Sequence, residues 1–310
     1  MATWQFVAIF CALYVGTCIT NKYVLSVLRF TFPTIFQGWQ TAFGLVVVLI
    51  CSGCNFLQIN SRSKREILKW CHGVFFFIIS IFSGSKALSI LPIPAFIALQ
   101  NTVDVLVYVF QTTQTKRLGN AAVVISAIMV LVAAYSLANS GEQNLSSGYS
   151  WMMTHIVSTV LLILSQKWLK PASFSDVDCL LYQYLISVVI FTPGSFLLGD
   201  LTDAFYFTNW YSMKFYVGCI LSGLLGVLLN LTVIHMKGTD ADVMPVALAL
   251  SKSILIVLSQ HLFETSLTSD FRFCLLVNMT SYYVFLWLHP LVEGAGGGEE
   301  TVQKLSKEVV

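Results

Sequence analysis

The chain has 310 residues, of which 56% are hydrophobic and only 10% charged, with a mean hydropathy of +0.78. Charged side chains make up about a quarter of a soluble domain, so this composition excludes one and requires a lipid bilayer as partner. A formal net charge of +2, with no basic cluster beyond Arg62, Lys64, Arg65 and Lys69, excludes a nucleic-acid surface.

Apolar runs separated by polar or Gly/Pro breaks fall at about Trp4 to Thr20, Pro33 to Cys51, Trp70 to Leu88, Ile93 to Gln111, Leu118 to Leu137, Tyr149 to Trp168, Val177 to Leu198, Tyr211 to Ile234, Asp242 to Leu262 and Phe271 to Leu288. Each approaches the roughly 20 residues that cross a bilayer core as a helix. The expected fold is therefore an all-α polytopic membrane protein of ten spans. The first run has no basic residue ahead of it and no small-residue cleavage site, and reads as a retained span. The tail from about residue 290, rich in Gly and Glu, reads as disordered and cytosolic.

Counting Lys and Arg in alternate loops gives eleven on the side of the N-terminus and four on the other, with Lys86 and Lys252 embedded. Basic loops stay in the cytosol, so both termini are expected there. The sequon at Asn144 then falls in a lumenal loop and is the candidate glycosylation site. Lys22 stands at the lumenal end of the first span.

Within the fourth run, Asn101, Asp104, Tyr108 and Gln111 recur at helical steps and form a polar stripe, read as lining a path through the bilayer. The alternative is interhelical hydrogen-bonding glue. The eighth run carries Gly218, Ser222 and Gly226 at four-residue steps, a close-packing face with no chemistry assigned. The ninth run holds Lys252 at its middle, where a lysine costs about 2.5–3.5 kcal/mol. It must face a protein-lined or watery cavity, either as an anion site, with Ser251 beside it as a hydroxyl donor, or as a structural lysine paired with a carboxylate. Asp104 is the expected counter-ion when no anion is bound, and Lys252 is otherwise expected to be unpaired.

Lys86 precedes Pro94 by eight residues and Lys237 precedes Pro245 by eight; seven residues beyond each proline stand Asn101 and Lys252. This spacing suggests two five-span repeats, residues 1–148 and 149–289, inverted relative to each other, the arrangement with which transporters build a midplane site. The eight cysteines lie almost all within apolar runs, and the lone Cys51–Cys54 CxxC has no second pair to suggest a metal or redox role. The five histidines are dispersed, and neither HExxH, GxSxG nor a P-loop occurs, which argues against an enzyme and against ATP-driven transport. A single-chain inverted repeat also argues against a channel. No cofactor is implied, and a homodimer is a candidate assembly.

The run Thr20 to Thr41 (TNKYVLSVLRFTFPTIFQGWQT), the run Lys86 to Pro94 (KALSILPIP) and the lysine of the ninth span resemble the nucleotide-sugar transporters of the drug/metabolite transporter superfamily, especially the transmembrane protein 241 family. More distant relatives, the Golgi GDP-mannose transporters, carry an FYNN motif that reads the base and a GALNK motif that holds sugar and phosphates. The matching runs here are Leu181-Tyr182-Gln183-Tyr184 and Leu248-Ala249-Leu250-Ser251-Lys252. Tyr182 and Lys252 match, whereas both asparagines of FYNN are replaced, which speaks against guanine recognition. The resemblance implies import of UDP-N-acetylglucosamine into the Golgi lumen in exchange for a nucleoside monophosphate, with GDP-mannose or another phosphorylated metabolite as the alternative cargo. The expected substrate-binding set is Lys252, Ser251, Tyr182, Gln183, Asn101, Asp104 and Lys22. Tyr182 and Gln183 would offer a ring face and an amide to the base. Tyr184, bulkier than asparagine, would favour the smaller pyrimidine.

Overall fold

A computed structural model describes residues 3–308 apart from 61, 117–119, 141–144, 240–242 and 264–266, with side chains described up to residue 288. Asn144 and its expected glycan therefore lie outside the described residues. The helices are α1 (Thr3–Lys22), α2 (Pro33–Gly53), α3 (Lys64–Ile90), α4 (Ile93–Thr115), α5 (Ala121–Asn139), α6 (Ser146–Trp168), α7 (Asp176–Leu197), the short α8 (Asp200–Ala204), α9 (Met213–Thr239), α10 (Met244–Leu262) and α11 (Ser269–Glu308). Ten of them are long and apolar enough to cross a membrane, and no strand occurs among the described residues. The chain is thus an all-helical membrane protein. In α11 the apolar span is Ser269–Leu288, and the backbone stays helical to Glu308, past the point where an irregular tail was expected.

The helix ends differ from the apolar runs because polar first turns are held by caps. Ser63 and Glu66 form a capping box, which starts α3 six residues before the first apolar residue of the expected run. Ser175 and Asp178 do the same for α7. Asp178, whose side chain is fully buried, also accepts from Asn60 N at 3.1 Å and from Arg62 Nε at 3.1 Å, so it ties the α2–α3 connection to the α7 N-terminus. Prolines 33, 94 and 245 all sit in the first turn of their helices, where a missing N–H costs nothing. At its end α1 passes into one π-helical turn, Tyr23–Val27, and the chain reverses through Arg29 at φ 57°. Phe30 then packs against Phe32, Phe36, Phe207, Trp210 and Phe215 with ring centroids 4.9–6.5 Å apart, sealing that end of the bundle.

Many of the packing pairs, though not all, match when the two halves of the chain are exchanged. When the first five spans are mapped in order onto the last five, α3 on α6 corresponds to α9 on α1, α4 on α6 to α10 on α1, and α2 on α9 to α7 on α3. The pairs α2 with α7, α4 with α10 and α5 with α11 map onto themselves. This pattern is what two five-span repeats would produce. The most buried span is α4, and α9 is the one most open to lipid.

Candidate functional site

Lys252 is 2% exposed and lies where α4, α10 and α11 meet. A buried ammonium needs partners, and it has three. Its Nζ donates to Asn101 Oδ1 at 2.9 Å and to Tyr282 Oη at 2.9 Å, and Asp104 Oδ2 stands 3.7 Å away. The Tyr282 hydroxyl in turn donates to Asp104 Oδ2 at 2.5 Å, so one oxygen bridges cation and anion, and the ammonium lies 4.2 Å from the Tyr282 ring centroid. Asn101 Nδ2 donates to Asn278 Oδ1 at 2.9 Å, and Asn278 Nδ2 to the carbonyl of Val130 at 3.1 Å. Asn101 and Lys252, the two positions matched by the proline spacing, therefore touch each other. Lys252 is thus not left unpaired: Asp104 stands beside it as a counter-ion, and Asn101 and Tyr282 accept its hydrogen bonds.

The α4 stripe is not an open path. Asn101 is closed over by α10 and α11 and Tyr108 is buried with its ring 5.5 Å from that of Phe285, while Asp104 bonds Tyr282 but stays one-third exposed. Asn278 and Tyr282, one helical turn apart on the last span, complete the network and do not stand out in the sequence as site residues. Their spacing of four was the available signal.

The remaining expected residues stand elsewhere. Ser251 Oγ donates to Ala247 O at 2.6 Å, a bond within its own helix. Lys22 Nζ donates to the carbonyls of Leu88 and Leu91, both at 2.8 Å, and so caps the C-terminal end of α3. Tyr182 packs on Phe174 with centroids 5.5 Å apart. Gln183 is buried, its Nε2 has no partner among the described residues, and it lines a recess of about 80 Å³ with Lys170, Asp176, Asn230 and Lys237. The structure thus joins Lys252, Asn101 and Asp104, and leaves Lys22, Tyr182 and Gln183 apart from them.

A cavity of about 300 Å³ has walls from both halves of the chain, with many polar side chains set among a larger apolar surface. Asn21 and Cys18 of α1, Gln37 and Gln40 of α2, Ser80 and Ser85 of α3, Gln100 of α4, His155 of α6, Tyr184 of α7 and Asn230 of α9 all line it. Asn21 Oδ1 accepts from Gln40 Nε2 at 3.0 Å and from Ser222 Oγ at 2.6 Å; Gln37 bonds Ser85, and Asn230 Nδ2 donates to Tyr184 Oη at 3.1 Å. Gly44 makes room for the Tyr184 ring, since a Cβ there would come within 2.6 Å of it. Of the base-motif residues, then, Tyr184 rather than Tyr182 faces the cavity. The α9 face assigned to close packing does more than pack. Gly218 abuts Val24, but Ser222 joins the Asn21 and Gln40 cluster, and Gly226 meets open space on the cavity wall.

The network and the cavity adjoin. Gln100, next to Asn101 in the chain, lines the cavity, and Tyr14 and Cys18 on its wall lie within electrostatic range of Asp104 and Lys252 respectively. No cluster of three or more His, Cys, Asp or Glu side chains able to hold a metal occurs among the described residues. Chemically, the arrangement is a cavity with neutral donors and acceptors on partly apolar walls, adjoining one buried cation paired with a carboxylate.

No family model matches the chain. It is 36% identical over 268 residues to the UDP-N-acetylglucosamine transporter TMEM241 homolog of Xenopus laevis, covering 86% of this chain and 90% of that one. To the UDP-N-acetylglucosamine transporter TMEM241 of Mus musculus it is 34% identical over 269 residues, covering 86% and 91%. A GDP-mannose transporter of Komagataella pastoris is 28% identical over 198 residues, covering 62% of this chain and 60% of that one.

Proposed function

Because the chain belongs to the TMEM241 family of nucleotide-sugar transporters, we propose that it carries UDP-N-acetylglucosamine into the Golgi lumen in exchange for a nucleoside monophosphate, with both termini in the cytosol. The observation that supports this reading is the Lys252–Asp104 pair beside the central cavity. A nucleotide sugar carries about two negative charges on its diphosphate. Charge-assisted hydrogen bonds to phosphate are among the stronger ones available to a protein. The diphosphate takes the place of Asp104 on Lys252, and when it leaves, Asp104 and Tyr282 hold the lysine again, so the empty site never presents an unpaired buried charge. A cavity of about 300 Å³ is at the small end of ligand sites, which span roughly 300–1,000 Å³, so loading requires the walls to part. Parting the repeats to one side and then the other is the transport step.

The preference for uridine rests on Tyr184. Its ring occupies the cavity wall beside Asn230, and it leaves the narrower berth to a pyrimidine. The name shared by the TMEM241 relatives supports the same sugar.

Purified protein in liposomes preloaded with UMP tests the reading. Labelled UDP-N-acetylglucosamine should enter, entry should depend on internal UMP, and unlabelled UDP-N-acetylglucosamine should compete far better than GDP-mannose. Lys252→Ala should abolish uptake. Equal competition by GDP-mannose would refute the uridine preference, and uptake independent of internal nucleotide would refute exchange.

A further inference from the structure

His155 of α6 is 9% exposed, lines the cavity and faces Phe96 of α4, with ring centroids 5.6 Å apart. Gly84 of α3 leaves the space for it, since a Cβ there would come 2.8 Å from His155 Nδ1. That nitrogen is 2.8 Å from the carbonyl oxygen of Ser80, which can only accept. The proton of the neutral ring is therefore on Nδ1, and Nε2 presents a lone pair. Among the described residues Nε2 has no hydrogen-bond partner, although it is buried, and buried polar atoms almost always have one.

We propose that His155 Nε2 accepts a hydrogen bond from an O–H or N–H of the transported nucleotide sugar and so positions the uncharged part of that molecule; the proposal rests on the transport reading above. A phosphate oxygen offers no hydrogen, so the lone pair turns the diphosphate away and selects a hydroxyl or amide. Its place suits this. Phe96, against which the ring sits, precedes Asn101 by five residues of α4, about 7.5 Å along the helix axis at 1.5 Å per residue. With the diphosphate at Lys252, the group reaching His155 is the ribose or the hexose on one side of it.

Two substitutions separate this role from a structural one. In His155→Asn the amide nitrogen takes the place of Nδ1 and keeps the Ser80 bond, while the acceptor is lost. In His155→Gln a side-chain oxygen reaches the place of Nε2, while the Ser80 bond is lost. The full chain in liposomes is first given a panel of nucleotide sugars, and both variants are then measured with the one that wild type carries best. The expected result is a KM raised about three- to tenfold in His155→Asn, the worth of one neutral hydrogen bond, with kcat little changed and His155→Gln nearer to wild type. Inhibition by UMP gives the second arm: unchanged in His155→Asn if the donor is on the hexose, weakened equally if it is on the ribose. Wild-type behaviour of His155→Asn overturns the proposal, because the lone pair is then satisfied by water or by nothing. So does a larger defect in His155→Gln than in His155→Asn, which would make the ring a structural strut. A panel led by a sugar other than UDP-N-acetylglucosamine overturns the substrate reading alone, and the comparison of variants still decides on His155. A wild-type protein that carries no nucleotide sugar overturns both.

Discussion

Removing either member of the Lys252–Asp104 pair should destabilise the protein, but by unequal amounts. The lysine side chain is 3% exposed and the aspartate 33% exposed. Asp104→Asn therefore leaves an ammonium almost wholly out of water with only the neutral acceptors Asn101 and Tyr282, and stranding one partner of a buried pair costs about 3–5 kcal/mol. Lys252→Met keeps most of the side-chain volume. It leaves a carboxylate that still accepts from Tyr282 and can reach water, so the loss is that of one or two hydrogen bonds, about 1–3 kcal/mol. The double variant has no stranded charge and should be no less stable than Asp104→Asn alone, a coupling at least as large as the Lys252→Met loss, about 1–3 kcal/mol. Reversible unfolding of the purified protein in mixed micelles measures all three. If Lys252→Met proves the more damaging single change, or the two losses simply add, the pair does not carry the energetics argued here.

Tyr282→Phe keeps the ring against the ammonium but removes the oxygen that links Lys252 to Asp104; stability should fall by about 1.5–3 kcal/mol and uptake should slow, as unfolding and initial-rate assays would show. Tyr184→Asn should weaken the discrimination between UDP and GDP sugars in competition assays, and Tyr182→Asn should leave it as it is, because only Tyr184 reaches the cavity. Asp178→Ala should cost about 3–5 kcal/mol of stability with the KM for substrate unchanged, since Asp178 joins Arg62 and the α7 cap far from Lys252. Gly84→Ala should raise the KM by pushing the His155 ring from its seat, with 2.8 Å to Nδ1 and 3.0 Å to Cε1 as the clashing distances.

The ten spans were legible in the amino-acid sequence because lipid demands long apolar runs, and nothing but the caps had to be added. Which faces meet was far less legible. In water a helix shows its buried side by hydrophobic periodicity, whereas in a bilayer both the lipid side and the protein side are apolar, and the contrast fades. The polar residues were the only guide, and the two charges among them, Lys252 and Asp104, lie on one network with Asn101. Less legible were Lys22, expected among the substrate ligands, which holds two backbone carbonyls, and Tyr182, which matches the motif while its neighbour Tyr184 lines the cavity. Gln37, Gln40 and His155 escaped notice because a single neutral polar residue in an apolar run carries no sign of which neighbour will satisfy it. In the sequence the proposed repeat rests only on prolines at two helix starts, and the contact between Asn101 and Lys252, the positions matched by that spacing, is not one that spacing alone announces.

The bonds of Lys22 also bear on the order in which the protein is built. Its acceptors, the carbonyls of Leu88 and Leu91, lie 66 and 69 residues further along the chain. At synthesis rates of about 5–20 residues per second, roughly 3–14 s pass before they leave the ribosome. Through that interval α1 carries a lysine at its end with nothing in the bilayer to receive it, and the long side chain keeps its ammonium at the membrane surface. Lys252 meets the opposite circumstance, because Asn101 and Asp104 are already in place when it is made. The end of α1 is therefore anchored late, by the corner between α3 and α4, and a nascent chain cut short of Leu91 leaves its first span tethered at the surface and its bundle unlatched.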